Sequence, residues 1–319
     1  MLRMHRSFAQ AGEDPFGAGY AIVDPSTPGR VAADARQTRE RGLVQLCTTV
    51  DAWAPEAQEH NLGRRWLEAI LCEPSWTVRI LTKNAAVRKD FDLIERYRGR
   101  VLVGLSSTAT PDKEAIVNVI EPNASSIPER MSALRQAAER GLRTYGMFCP
   151  LLPAVADSPE HIDELIQFAV SCQAEEVFVE AVNLRGPGLR RCQEALELWG
   201  CQREAEAVGR IRHKVHWSRY VADLIVNVQQ STRRFSDIGK LRFLLYPSRL
   251  TDEDRARVAS DDAGVIWLGK AWEAPSARRQ RVNLQGSASG QAGVPSVPPG
   301  KALGLKADWL DRGRRPLSW

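Results

Sequence analysis

The sequence lacks the spacings that announce most familiar sites. Its six cysteines, Cys47, Cys72, Cys149, Cys172, Cys192 and Cys201, are scattered, and no two are separated by only two residues. That argues against a zinc ribbon or a dithiol redox pair, and cysteines so placed are expected to stay reduced in a cytosolic protein. There is no Gly-x-Gly-x-x-Gly, no P-loop, no Gly-x-Ser-x-Gly and no His-Glu-x-x-His, which removes the usual dinucleotide, nucleotide-hydrolase, serine-hydrolase and zincin readings. Histidine is scarce, with five in 319 residues. Two of them, His213 and His216, lie three apart in a basic stretch, RIRHKVHWSR, but have no third ligand nearby. A solvated basic face is therefore expected rather than zinc. No apolar run is long enough to cross a bilayer, and residues 1–30 carry Arg3 and Arg6 without the apolar core of a secretory leader. The chain is expected to be cytoplasmic and not to engage a membrane.

The net charge of +5 is mild for this length. Much of the excess sits in residues 273–319, which lose periodicity and fill with Pro, Gly, Ser, Gln and Arg. That composition predicts a disordered basic tail. Residues 1–42 are punctuated by Pro15, Gly17, Gly19, Pro25, Pro28 and Gly29 and read as irregular, with a short helix near 31–41.

From Leu43 the pattern becomes regular. Apolar runs of strand length occur at 43–48, 77–82, 101–106, 143–148, 176–180, 241–246 and 264–268. Helix-period segments at about 60–73, 87–97, 128–140, 160–172, 189–198, 203–230 and 251–259 fall between them. Strands alternating with helices predict an α/β protein of parallel strands and right-handed crossovers. Ser126, Asp157 or Ser158, and Thr251 are the expected helix caps, and Gly99 and Gly141 the expected helix ends. Periodicity alone leaves a partial barrel, a closed barrel and an open doubly wound sheet as alternatives. We divide the chain into an irregular segment (1–42), a barrel-like unit (43–200), a helical and β/α extension (201–272) and the tail (273–319).

Polar residues recur where these strands end, the place where an α/β barrel keeps its site. After the first run come Thr48, Thr49 and Asp51, then Pro55-Glu56. These suit a ligand's amine or ribose, or an Asx turn that caps the next helix. Lys83 follows the second run, able to take a carboxylate or phosphate or to snorkel at the rim. Ser106, Ser107 and Thr108 follow the third. Glu121-Pro122 reads as a turn. Arg130 either points inward to a ligand carboxylate or pairs with Glu121 on the surface. Cys149-Pro150 reads as a rigid turn, and Cys47 and Cys149 as small buried residues inside strands. Glu180 is a candidate polar contact, with an ion pair to Arg185 or Arg190 as its alternative.

The order of these pieces carries more than any one of them. TTVDAWAPE, ILTKNAAVRKDFDLI, VGLSSTATPD, EPNASSIPERMSAL and GLRTYGMFCPLLP follow one another through residues 43–200. In order and spacing they resemble the radical S-adenosylmethionine superfamily, in particular spore photoproduct lyase and the "DNA repair photolyase" group. The resemblance implies a partial (β/α)₆ TIM-like barrel, with S-adenosylmethionine bound across the strand ends. It also implies a [4Fe–4S] cluster that cleaves the cofactor reductively, and a nucleic acid or other macromolecular substrate. By position Thr49, Asp51, Lys83 and Ser106 would contact the cofactor, with Arg130 beside them and Lys83 on its carboxylate.

One departure stands out. The family holds its cluster with a Cys-x3-Cys-x2-Cys loop after the first barrel strand, whereas residues 1–42 contain no cysteine. The first strand and cluster loop are therefore expected to be missing or replaced. A truncated or disrupted radical enzyme is ranked ahead of a cluster-free barrel that binds a nucleotide-like ligand or a partner. A conventional barrel enzyme ranks below both, because no histidine accompanies Asp51, Lys83 or Glu180 to make an acid–base pair.

Overall fold

Two-residue alternation shapes the sheet. In TVRILT the side chains of Val78 and Ile80 are wholly buried while Arg79 and Leu81 are half-buried, and LRFLL repeats the pattern, with Leu241 and Phe243 buried and Arg242 and Leu244 half-buried. One face of each strand thus lies under helices and the other carries charge. The computed structural model describes residues 23–47, 50–184 and 188–268. The tail at 273–319 and most of the irregular first segment lie outside that range.

The strands are β1 (Leu43–Leu46), β2 (Thr77–Thr82), β3 (Val101–Leu105), β4 (Arg143–Thr144), β5 (Gly146–Leu151), β6 (Val177–Ala181), β7 (Leu241–Leu245) and β8 (Val265–Trp267). All ladders are parallel, in the orders β1-β2-β3-β4 and β5-β6-β7-β8. The two groups are joined where β3 runs on to a parallel bridge between Ser106 and Met147, with Tyr145 N donating to Val103 O at 3.0 Å and Ser107 N to Met147 O at 2.9 Å. The strands after residue 200 extend the same sheet, since β7 pairs directly with β6. Among the described residues no ladder joins β1 to β8.

The helices are α1 (Thr27–Gln37), α2 (Pro55–Gln58), α3 (Leu62–Leu71), α4 (Phe91–Arg96), α5 (Glu114–Ile120), α6 (Ile127–Glu139), α7 (Pro159–Ser171), α8 (Gly188–Leu198), α9 (Gln202–Arg210), α10 (Lys214–Phe235) and α11 (Asp252–Ser260). Ser126, Ser158 and Thr251 cap α6, α7 and α11, and Ser126 forms a full capping box with Glu129. Gly141 ends α6 at φ +69. Gly99 does not play that part: it lies in a 3₁₀ turn, Arg98–Arg100, without positive φ. Helix α1 begins four residues before the expected position because Pro28 starts its first turn. It is tied to the body by Trp76 Nε1 donating to Ala35 O and Trp66 Nε1 to Thr27 Oγ1.

The sheet curls, and side chains show it. Arg79 on β2 forms an ion pair with Glu176 at the start of β6, and its guanidinium lies 4.7 Å from the Phe178 ring. In a flat sheet those strands would be three spacings, about 14 Å, apart. Arg242 on β7 joins the same Glu176 at 3.0 Å. Tyr145 crosses this inner face. Its hydroxyl donates to Ile80 O at 2.7 Å and accepts from Gln45 Nε2 at 3.3 Å. The crossing explains why the single run expected at 143–148 is two strands, with Tyr145 at the break. It also requires Gly104, where a Cβ would sit 2.3 Å from the ring.

Gly104→Ala is expected to destabilise the fold by about 1–3 kcal/mol through displacement of Tyr145. Gly99→Ala, where a Cβ meets nothing within 4 Å, serves as the control in urea denaturation. Equal midpoints for the two variants would remove Tyr145 as the brace of the inner face.

Candidate functional site at the strand ends

The loops that leave β1 and β2 are sewn together by one aspartate. Asp51 accepts from Thr82 Oγ1 at 2.8 Å, from Lys83 N at 2.9 Å, from Asn84 Nδ2 at 3.3 Å, and from Trp53 N at 2.9 Å in an Asx turn. The carboxylate therefore fixes the backbone on either side of Lys83. Thr49 lies outside the described residues.

Lys83 reaches from the end of β2 to Glu121, the residue that follows α5, and forms an ion pair with Oε1. Thr108 Oγ1 donates to the same oxygen at 2.6 Å. Arg130 Nη1 lies 2.7 Å from Oε2. Arg130 is only 1% exposed, so its pairing with Glu121 is internal and not on the surface, the alternative weighed from sequence. The guanidinium is held in addition by Ser125 O at 2.6 Å and Ser106 O at 3.1 Å. Ser106 is itself buried, its hydroxyl donating to Cys149 O at 2.6 Å. Burial pushes the Glu121 carboxyl up, but the Lys83 and Arg130 charges and the hydrogen bonds of Lys83 and Thr108 outweigh it, and the net shift is downward.

The structure thus brings Asp51, Lys83, Ser106 and Arg130 into one connected network. The sequence offered Glu121 only as a surface partner of Arg130, not as the centre of the network. Glu121 reads as a turn because the helix before it was not expected. EAIVNVI is rich in β-branched residues, which are weak helix formers. It is helical nonetheless, with Val117 its one fully buried residue. The signal that could have found Glu121 was the acid directly after an apolar turn, within reach of an arginine nine residues on.

Further along the rim, Glu180 accepts from the Cys149 thiol at 3.4 Å, and burial raises its carboxyl. Arg190 pairs with Glu194, and Arg185 lies outside the described residues. Asn183 accepts from Arg249, at a small hollow of about 10 Å³ between the ends of β6 and β7, room for one water-sized sphere. His213 and His216 are exposed.

All six cysteines lie in described residues and all are free. Cys47 is not inside its strand as expected. β1 stops at Leu46, and Cys47 takes φ +66, with its sulfur accepting from Ala52 N at 3.2 Å. Cys149 lies within β5, at an irregularity in the ladder and not in a turn after the strand. Burial pushes the Cys47 and Cys149 thiols up, Cys149 well above the ordinary value, and Cys192 is pushed up to about 11. A [4Fe–4S] centre needs three converging thiolates. Among the described residues no group of three or more His, Cys, Asp or Glu is placed to hold a metal. These cysteines do not fit a cluster. The donors around Lys83 and Arg130, by contrast, have the chemistry of a carboxylate site.

No family model matches the chain. An uncharacterized protein of Acidianus two-tailed virus is 27% identical over 157 residues, 48% of this chain and 50% of that relative. An uncharacterized protein of Methanocaldococcus jannaschii is 26% identical over 190 residues, 60% of this chain and 67% of that relative. The chain spans about half the length of the viral relative. Among solved structures, spore photoproduct lyase complexed with dinucleoside spore photoproduct has a TM-score of 0.50 at 16% identity, covering 72% of this chain and 68% of that one. The likeness is one of fold: an α/β protein with parallel sheets and many helices. Among the described residues no helix is long and apolar enough to cross a membrane.

Two outcomes are expected. Anaerobic reconstitution with iron and sulfide should leave this chain without a [4Fe–4S] spectrum, and about four irons per chain would overturn the misfit. Glu121, lowered from 4.5, contributes stability that is full above that pH and lost as pH falls through the lowered value. The gap in unfolding free energy between the native chain and Glu121→Gln should therefore shrink below pH 4.5. A gap that stays constant with pH would remove the charge of Glu121 from the account.

Proposed function

We propose that this chain is a radical S-adenosylmethionine-type partial barrel whose strand ends bind S-adenosylmethionine, and that its own residues support binding rather than reductive cleavage. The observation that carries the reading is the setting of Lys83. It is a cation at the end of β2, its backbone pinned by Asp51 and its ammonium directed to a carboxylate. The fold it sits on resembles spore photoproduct lyase. An amino-acid carboxylate is the part of S-adenosylmethionine that such a lysine recognises.

The roles follow from chemistry. Lys83 takes the ligand carboxylate. Asp51 positions Lys83, since four donors already fill its oxygens. Ser106 and Arg130 hold the ends of β3 and β5 against the site, and Thr49 supplies a hydroxyl from the loop after β1. The cluster-free reading is favoured over radical chemistry on this chain because its six thiols do not converge, and burial holds those of Cys47, Cys149, Cys172 and Cys192 toward the neutral form. A nucleic-acid substrate is proposed only by likeness to the lyase bound to a dinucleoside photoproduct.

Calorimetry with S-adenosylmethionine tests this. Lys83→Ala should weaken binding by about tenfold or more, the loss of one charge-assisted contact of roughly 1.5–3 kcal/mol. Native affinity in that variant would sink the assignment, and no binding by the native chain would sink the function.

A further inference from the structure

We propose that Lys83, Thr108 and Arg130 form a carboxylate-binding cradle that the native chain fills with its own Glu121. Three features lead there. The donors come from three separate elements, the end of β2, the loop after β3 and helix α6, and converge on one carboxylate. Lys83 and Thr108 donate to Oε1, while Arg130 Nη1 stands 2.7 Å from Oε2 as an ion pair and leaves that buried oxygen without a hydrogen bond.

The backbone that carries Lys83 and the guanidinium of Arg130 are held by groups other than Glu121. Asp51 holds the Lys83 amide, and Ser125 N donates to Lys83 O at 3.1 Å. Arg130 is anchored through Nε to Ser125 O and through Nη1 to Ser106 O. Thr108 is fully buried on the loop that follows β3.

Glu121, by contrast, follows a short element. Helix α5 has seven residues and a single fully buried side chain, Val117. Displacing Glu121 disturbs the half-buried packing of Ile116, Val119 and Ile120, and leaving the buried Arg130 and half-buried Lys83 without an anion is costly. A ligand carboxylate that enters must therefore either displace Glu121 or share Lys83 with it. The cradle is built for exchange of one carboxylate for another, and Glu121 acts as an internal competitor that sets the affinity of the site. The identity of the competing ligand as S-adenosylmethionine rests on the function proposed above, but the existence of the cradle does not.

The test replaces the internal carboxylate and supplies one from solution. Thermal unfolding of the full chain is followed for the native protein, Glu121→Ala and Glu121→Gln, in sodium acetate against sodium chloride at matched ionic strength. Acetate should raise the midpoint of Glu121→Ala by several degrees and saturably, leave the native chain at the chloride value, and lose its effect when Lys83→Met is added. Glu121→Gln keeps the shape of the side chain and guards against a failure of the alanine variant to fold. It should show a smaller response of the same sign. Acetate behaving like chloride in both variants would overturn the cradle.

A second arm separates the two proposals. Glu121→Gln should bind S-adenosylmethionine about tenfold more tightly than the native chain, with 5′-methylthioadenosine, which has no carboxylate, unchanged. An acetate response without any S-adenosylmethionine binding keeps the cradle and refutes the cofactor. Lys83-dependent S-adenosylmethionine binding without an acetate response keeps the cofactor and refutes Glu121 as its competitor.

Discussion

The carboxylate of Glu121 is the constraint on which the strand-end face depends. Placing a buried Arg130 and a half-buried Lys83 beside the ends of parallel strands is costly, on the order of several kcal/mol for a fully buried ion and less for the half-buried one. Lys83 and Arg130 are tolerated there because one anion meets both and a threonine hydroxyl meets it in turn. The network then spreads by hydrogen bonds. Arg130 touches the carbonyls of Ser106 and Ser125, Ser106 reaches Cys149 O, and Ser125 joins both Lys83 and Ala85. A single ionised group thus coordinates β2, β3, β5 and α6, the four elements whose ends line the face.

A second network, at the opposite end of the strands, sets the curvature. Glu176 draws Arg79 and Arg242 together from either side, and Tyr145 bridges the gap over Gly104 to reach Ile80 and Gln45. Both ends of the inner face are therefore held by buried or half-buried charge, with the small cluster of Leu102, Tyr145, Met147 and Cys149 between them. The larger core lies on the other side of the sheet, under the helices. That division explains why β2, β6 and β7 alternate in burial, whereas β3 is buried throughout. It also explains why the inner face can be polar without unravelling the sheet, since the outer face supplies most of the apolar burial.

The fold was legible in the sequence where local chemistry and tertiary role agreed. Val78, Ile80, Leu241 and Phe243 mark their strands by alternation, and Ser126, Ser158 and Thr251 mark helix starts by caps that the structure uses. It was illegible where tertiary packing overrode local preference. EAIVNVI is helical against its β-branched content, Gly99 sits where a helix end looked natural, and Tyr145 breaks a run that reads as one strand. At the site, Lys83 and Arg130 stood out because a charge at a strand end or an early helical turn is conspicuous. Their shared partner did not, because a Glu-Pro pair looks like any turn and the distance from 83 to 121 to 130 is bridged only in three dimensions. The roles of Asp51 and Ser106 were hidden for a related reason: each acts on a neighbour's backbone, which no side-chain pattern records.

The same enclosure decides which chemistry this chain's residues can support. Withdrawal from water strengthens the attraction between a fixed cation and a carboxylate, so the strand ends are suited to recognising an anionic group. Withdrawal also favours the neutral thiol over the thiolate, and Cys47, Cys149 and Cys192 are all shifted in that direction. An iron–sulfur centre asks for thiolates that converge, whereas Cys47 is turned to a backbone amide and Cys149 to a carboxylate. Moving one of these cysteines closer to another would not repair this, because the neighbours that now face each sulfur, Asp51 and Glu180, are themselves acidic and oppose its ionisation. Among the described residues, then, the thiols do not converge on one point, while the fixed cations of this face already meet a carboxylate.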